Sequence, residues 1–334
     1  MIEKSKTRLG AFTRENAKKS LVQWFLLLSL SPLAVAYPDR PIKIILPFPP
    51  GGSVDVVTRL ITQEMSTNLG QAIVLDYKPG GAGILATELV SHAPSDGYTL
   101  LITTPSHTIN PALHVTLPFD TEKDFETISF LTSIPELLVA NVNAPFNNLS
   151  ELIQFAKTNS QKISYSSAGS GTLPHITMEI LARRAGINLL HVPYKGAAPA
   201  FNDLVAGVVD IKYDTYATSS QFLNIKKIKV IATAGVSRLA QLPNTPTIAE
   251  QGFDGYQGYL WIGLLAPKNT SSDKIKQLAL SVSQAVQTPA VASKLETYGV
   301  EFTAKGPQQM KAQIELELKQ YKQVVKEAKI SEND

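Results

Sequence analysis

Short apolar runs alternate with amphipathic stretches along most of this chain. Runs at 42–46, 72–75, 99–103, 137–141, 163–166, 208–213 and 229–232 have the length and β-branched content of buried strands. Stretches at 54–69, 82–92, 149–158, 174–185, 197–206 and 273–286 repeat their apolar residues at helical spacing. The alternation is a βαβ rhythm, which predicts an α/β protein with mainly parallel sheets flanked by helices on both faces. Two apolar runs break it. Leu137 to Asn141, leading to Ala144-Pro145, is echoed by Trp261 to Leu265, leading to Ala266-Pro267, and each precedes a polar stretch that opens a helix. Read as a pair of hinge strands, they divide the chain into one lobe of 37–141 plus 263–330 and a second of 142–262. The last residues, 331–334, are expected to fray.

The roughly 300 residues after position 36 exceed what one core usually organises, which agrees with two lobes. The first 36 have the pattern of an export signal. Lys4, Lys6, Arg8, Arg14, Lys18 and Lys19 precede an apolar run over 21–33, and Ala34-Val35-Ala36 supplies the small-x-small cleavage pattern. Cleavage after Ala36 is expected, since the run is short for a membrane helix, and the mature chain then works outside the cytoplasm. Setting aside the six basic and two acidic residues of this leader turns the formal charge of +3 into −1. Such a surface lacks the concentrated basic charge that nucleic-acid binding needs. Without cysteine, disulfides, thiolate metal sites and a lipid-anchored start are excluded.

Candidate chemistry gathers in strand-to-helix turns. Pro50, Gly51, Gly52 and Ser53 form a Gly-rich turn that opens directly into a helix, where unpaired N–H groups and the helix dipole favour an anion. Ala168, Gly169, Ser170, Gly171 and Thr172 repeat the device, with Pro174 placed for a first helical turn. The polar stretch 103–111 reads as a loop carrying Thr104, Thr108 and Asn110, and the turn at 194–197 offers Gly196 and Ala197. Loops at the carboxyl ends of parallel strands are where open α/β sheets take ligands. Asp214, at the end of the strand read at 208–213, faces the same region. Either it accepts a hydrogen bond from an ammonium or hydroxyl on a ligand, or it caps its own loop through backbone N–H groups.

Other chemistries find less support. Gly81-Ala82-Gly83 imitates a dinucleotide fingerprint, but the Lys78-Pro79 turn before it is foreign to that motif, and no cofactor is expected. Ser170 has Ala168 two residues before it, where a nucleophile elbow needs glycine, and no nucleophile–base pair is readable, so the chain is not expected to be an enzyme. Asp55 reads as a first-turn residue paired with Arg59. The histidines show no ligand spacing, and His175 reads as a hydrogen bonder at a helix start, so no metal is expected.

The strings PIKIILPFPPGGSVD, KPGGAG, SDGYTLL, INPAL, YSSAGSGTLPH, HVPYKGAAPA, LPNTPTIAEQGF and WIGLLAP occur in this order. In that order they resemble the substrate-binding receptors of tripartite tricarboxylate transporters, the Bug family, over essentially the whole mature chain. The resemblance implies a two-lobed, type II-like periplasmic binding fold. It implies a monomer that closes on a small organic carboxylate and delivers it to the large and small membrane subunits of a permease; the alternative is a sensor-only receptor that presents the ligand to a signalling partner. It also implies that the turn of Pro50, Gly51, Gly52 and Ser53 on one side, and that of Ala168, Gly169, Ser170 and Thr172 on the other, hold the carboxylate largely through main-chain amides. Thr104, Thr108 and Asn110 match the family's polar loop, and Gly196 and Ala197 its YKG turn. Tyr213-Asp214 stands where Phe-Asp is usual. Tyr77, where Asn is common, and 224–227, where a Gly turn is usual, depart from the pattern, the first with the expectation of altered turn bonding.

Overall fold

The computed structural model describes residues 37–331, save 115 and 161. The export signal expected at 1–36 and the tail past Ser331 lie outside the described residues. Arg40–Asp334 form one compact unit. Its strands are β1 (Ile42–Leu46), β2 (Ile73–Tyr77), β3 (Thr99–Thr103), β4 (Phe125–Asn141), β5 (Ser164–Ser167), β6 (Leu190–Pro193), β7 (Ile211–Thr215), β8 (Ile228–Thr233), β9 (Tyr259–Pro267) and β10 (Phe302–Thr303). The helices are α1 (Ser53–Leu69), α2 (Ile84–Ser91), α3 (Ser106–Leu113), α4 (Leu149–Thr158) and α5 (Leu173–Ala185), followed by α6 (Ala197–Ala206), α7 (Tyr216–Asn224), α8 (Ser272–Gln287), α9 (Pro289–Thr297) and α10 (Pro307–Glu327).

One sheet runs in the order β2-β1-β3-β9-β4-β7-β5-β6, with β8 and β10 also paired to β4. Its flanks are parallel, as the βαβ rhythm predicts: β1 with β2 and β3, and β5 with β6 and β7. Its centre is antiparallel. β9 opposes β3 and β4, while β4 opposes β7, β8 and β10, so the α/β sheet is mixed.

The long strand β4 ties the two halves of the sheet together. From Phe125 to Pro135 it pairs with β9; from Glu136 to Asn141 it pairs with β7 and β8. Pro135 has no N–H to give a ladder, which suits the point where pairing changes partner. That change falls before residue 141, and β9 begins its pairing at Tyr259, before residue 263. Each half has its own core. Ile45, Leu101, Phe130, Trp261, Met310 and Ile314 pack together on one side. On the other, Leu138, Tyr165, Met178, Ile211, Tyr213 and Ile231 do the same. Burying each such side chain contributes roughly 1.5–3 kcal/mol.

The stretch 103–111, read as a polar loop, is instead mostly helix α3, with Pro111 inside it. Packing against α10 outweighs the two prolines there. Thr108 donates to Glu317 Oε2 at 2.8 Å, and Trp261 Nε1 donates to Oε1 of the same carboxyl at 2.8 Å. Burial pushes Glu317 up from the ordinary carboxylate range. His107, stacked on Phe119, is held neutral: burial pulls it down to about 4. Among the described residues no helix is long and apolar enough to cross a membrane.

Candidate functional site

Helices α1, α5, α6 and α7 begin at one cavity, which Ser106 at the start of α3 also lines. Its lining includes Gly52, Ser53 and Asp55 at the start of α1, Thr172, Leu173 and Pro174 at α5, Ala197 at α6, and Asp214 and Thr215 ahead of α7. The cap positions Gly52, Thr172, Gly196 and Thr215 place no side-chain acceptor on their helices. The first N–H groups of a helix have no intrahelical partner, so these starts turn donors and positive dipole ends inward. The sequence dictates this. Gly51 at φ 95°, Gly171 at φ 82° and Gly196 at φ 123° adopt backbone that side chains rarely tolerate, which lets three of the turns fold back this sharply.

The cavity is tight, about 50 Å³, and the two halves touch across it. Ser53 Oγ lies 2.7 Å from Thr215 Oγ1. Pro49 packs onto the Cα of Gly196, and Gly171 sits against Asn110 and Leu113. A wider cavity of about 420 Å³ adjoins it through Phe48 and Ala168, lined by Gly80–Gly83, His114, Gly169, Ser170, Tyr194 and Lys195.

Charge lies on the inner wall. Lys212, 1% exposed in its side chain, donates to the Tyr213 carbonyl at 2.7 Å and sits 3.2 Å from Asp214 Oδ2. Asp214 Oδ1 accepts from the Thr215 N–H at 2.7 Å and from Thr218 Oγ1 at 2.6 Å. Its Oδ2 is buried and makes no hydrogen bond, because the Lys212 contact is an ion pair without hydrogen-bond alignment. Glu136 accepts from Thr177 Oγ1 at 2.9 Å. Burial pushes Glu136 up to about 8, with the Thr177 bond and Lys212 opposing and Asp214 adding to the rise. Asp55 is spent on structure. It accepts from the Gly51 N–H at 2.9 Å, from Arg59 Nε at 2.8 Å and from the Tyr77 hydroxyl.

The folded protein holds the Glu136 proton more tightly than the unfolded chain, so stability falls as pH rises from about 4.5 through about 8 and levels off above. Glu136→Gln is expected to remove a decline on the order of a few kcal/mol, read as a flatter dependence of urea unfolding on pH between 5 and 9. Equal slopes in variant and parent would contradict a buried, late-titrating Glu136.

Of the residues singled out from sequence, Gly52, Ser53, Thr104, Ala168, Thr172, Ala197 and Asp214 line the tight cavity, and Gly169 and Ser170 line the wider one with Ala168. Pro50 and Gly51 are exposed at its rim. Gly196 shapes the turn against Pro49 without lining either cavity. Thr108 points to Glu317, and Asn110 donates to the Ala82 carbonyl at 3.3 Å, because both belong to α3. Glu136 and Lys212 were not singled out, although a lone charge inside an apolar strand run is a signal that sequence offers. His175 is fully buried and accepts from the Gly171 N–H at 3.2 Å, a helix-start bond. Among the described residues no group of three or more His, Asp or Glu could hold a metal.

A family model described as the tripartite tricarboxylate transporter family receptor matches residues 57–330. The chain is 34% identical over 299 residues to the "UPF0065 protein in tcbD-tcbE intergenic region" of Pseudomonas sp. (strain P51), covering 89% of each. Its fold is similar to that of the periplasmic binding protein BugD, with a TM-score of 0.85 at 31% identity over 88% of this chain and 99% of BugD. It is also similar to MatC from Rhodopseudomonas palustris with bound malate, with a TM-score of 0.82 at 31% identity over 86% of this chain and 100% of MatC. Matched over most of its length, the chain belongs to the tripartite tricarboxylate transporter family receptors, which are solute-binding proteins and not enzymes.

Proposed function

We propose that this protein is an exported receptor that captures one small organic carboxylate in the tight cavity and delivers it to the membrane subunits of a tripartite-type permease. The observation that carries the reading is the convergence of four helix starts, without side-chain caps, on one cavity. A carboxylate fits that arrangement, because donors fixed by the backbone at the helix starts satisfy its oxygens. MatC, similar in fold, was solved with malate. The leader read at 1–36 supports the periplasm as its place of work.

Two lobes account for the rest. The proposal places one lobe over 37–141 with 263–330 and the other over 142–262, bending where β4 exchanges β9 for β7. Ser53, Pro49 and Gly171 then make their cross-cavity contacts only when the lobes are shut, so a ligand touching both sides draws the population to the closed form.

Thermal shift and calorimetry on the mature chain test this. A short acid at 100 times its dissociation constant stabilises the fold by about 2.7 kcal/mol, while its methyl ester, which lacks the anion, gives no shift. Equal shifts from acid and ester would remove the anion from the account.

A further inference from the structure

The amide turns account for one end of a ligand; the wall that carries Lys212 and Asp214 is built differently. We infer that the cavity selects a carboxylate whose far end carries a neutral group that both donates and accepts, a carboxamide or a hydroxyl, over a second carboxylate or an ammonium. This rests on the receptor reading above and adds the chemistry of the ligand's other end.

The wall is charge-balanced. Lys212 and Asp214 are both nearly out of water, at 1% and 3% side-chain exposure, and their charged atoms stand 3.2 Å apart. Asp55, the other carboxylate of the lining, is answered by Arg59 at 2.8 Å and by the Gly51 N–H, so it adds no free charge. Glu136, packed among Thr177, Gly258, Lys212 and Asp214, holds its proton at neutral pH. A diacid would bring its second carboxylate against Asp214, and an amino acid would bring its ammonium against Lys212. Each meets a like charge, and the opposite charge 3.2 Å away is already paired, so the lost hydration of an incoming ion is not offset.

A neutral donor–acceptor meets no such cost. Asp214 Oδ2 faces the Lys212 ammonium at 3.2 Å without an aligned hydrogen bond, which leaves it room to accept one from a ligand. Lys212 has three ammonium protons, one of them given to the Tyr213 carbonyl. An amide N–H₂ donating to Oδ2 while its C=O accepts from Nζ matches the pair atom for atom, and a hydroxyl plays both parts in turn. The room of about 50 Å³ restricts such ligands to short acids.

Calorimetry at pH 7 with two matched series tests the inference. One is succinamate, 4-hydroxybutanoate, succinate and 4-aminobutanoate; the other is the shorter malonamate, 3-hydroxypropanoate, malonate and β-alanine. In the series that fits, a neutral-ended acid is expected to bind at least tenfold tighter than both the diacid and the amino acid. In Asp214→Asn, which leaves Lys212 uncompensated, the diacid is expected to gain at least tenfold relative to the amide. A diacid or amino acid binding tightest to the parent protein overturns the inference while leaving the receptor reading intact, whether or not the variant folds. An unchanged ranking in a folded Asp214→Asn overturns it as well. No binding by any acid of either series removes the receptor reading, and this inference with it.

Discussion

Gly196→Ala is expected to lower affinity for every carboxylate ligand by at least about 100-fold, equivalent to about 2.7 kcal/mol. The added Cβ would lie 2.5 Å from Pro49 Cδ and 2.6 Å from Pro49 Cγ, distances that carbon atoms do not share. Pro49 belongs to the turn before α1 and Gly196 to the turn before α6, so the clash acts across the cavity and props the halves apart. Backbone at φ 123° adds strain for alanine of about 1–3 kcal/mol, felt by the fold as well as by closure. Small-angle scattering separates the two effects. The variant should keep a cooperative melt and show a larger radius of gyration than the parent at saturating ligand; a parent-like radius with parent-like affinity would contradict the account.

The second large effect is expected from Lys212→Met, which should destabilise the protein by about 3–5 kcal/mol. Removing the ammonium leaves Asp214 charged, buried and facing Glu136. Methionine fills the volume of the stem, so the loss is electrostatic rather than a cavity. Lys212→Met/Asp214→Leu should recover much of the loss, because removing both charges leaves none uncompensated. Urea unfolding of parent, single and double variants decides it, and a single variant as stable as the parent at pH 7 would show that the pair is not coupled.

Where the chain's own periodicity decides the local structure, the sequence is readable. The limits of β1, β3, α4 and α6 are those read from alternation and helical spacing, because apolar positions there face one core. Elsewhere tertiary contacts decide. Val208 looks like the opening of a strand yet is 65% exposed, and β7 starts at Ile211, which sets Asp214 inside the strand and not past its end. Helix α3 was hidden because Pro105 and Pro111 read as breakers and Ser106, His107, Thr108 and Asn110 as loop residues. All four are buried, and Thr108 bonds to α10, whose own stripe of Met310, Ile314 and Val325 is interrupted by Glu317. The antiparallel centre of the sheet is not written in any single segment, since β4 must find β7, β8 and β9 from distant parts of the chain.

The glycine turns were legible as sharp strand-to-helix turns, because a Gly-rich turn carries its backbone geometry locally. Of the inner wall, only Asp214 was read from sequence. Glu136, Lys212 and Asp214 are brought together only by the pairing of β4 with β7, which places Leu137 opposite Asp214 and Val139 opposite Lys212.

The most direct measurement is a crystal structure of the mature protein grown with whichever acid of the two series binds tightest. The account predicts carboxylate oxygens within about 3 Å of main-chain N–H groups at the starts of α1 and α5, with the far end of the ligand between Asp214 Oδ2 and Lys212 Nζ. A ligand seated instead in the wider cavity beside Gly80–Gly83, with the four helix starts untouched, would contradict it.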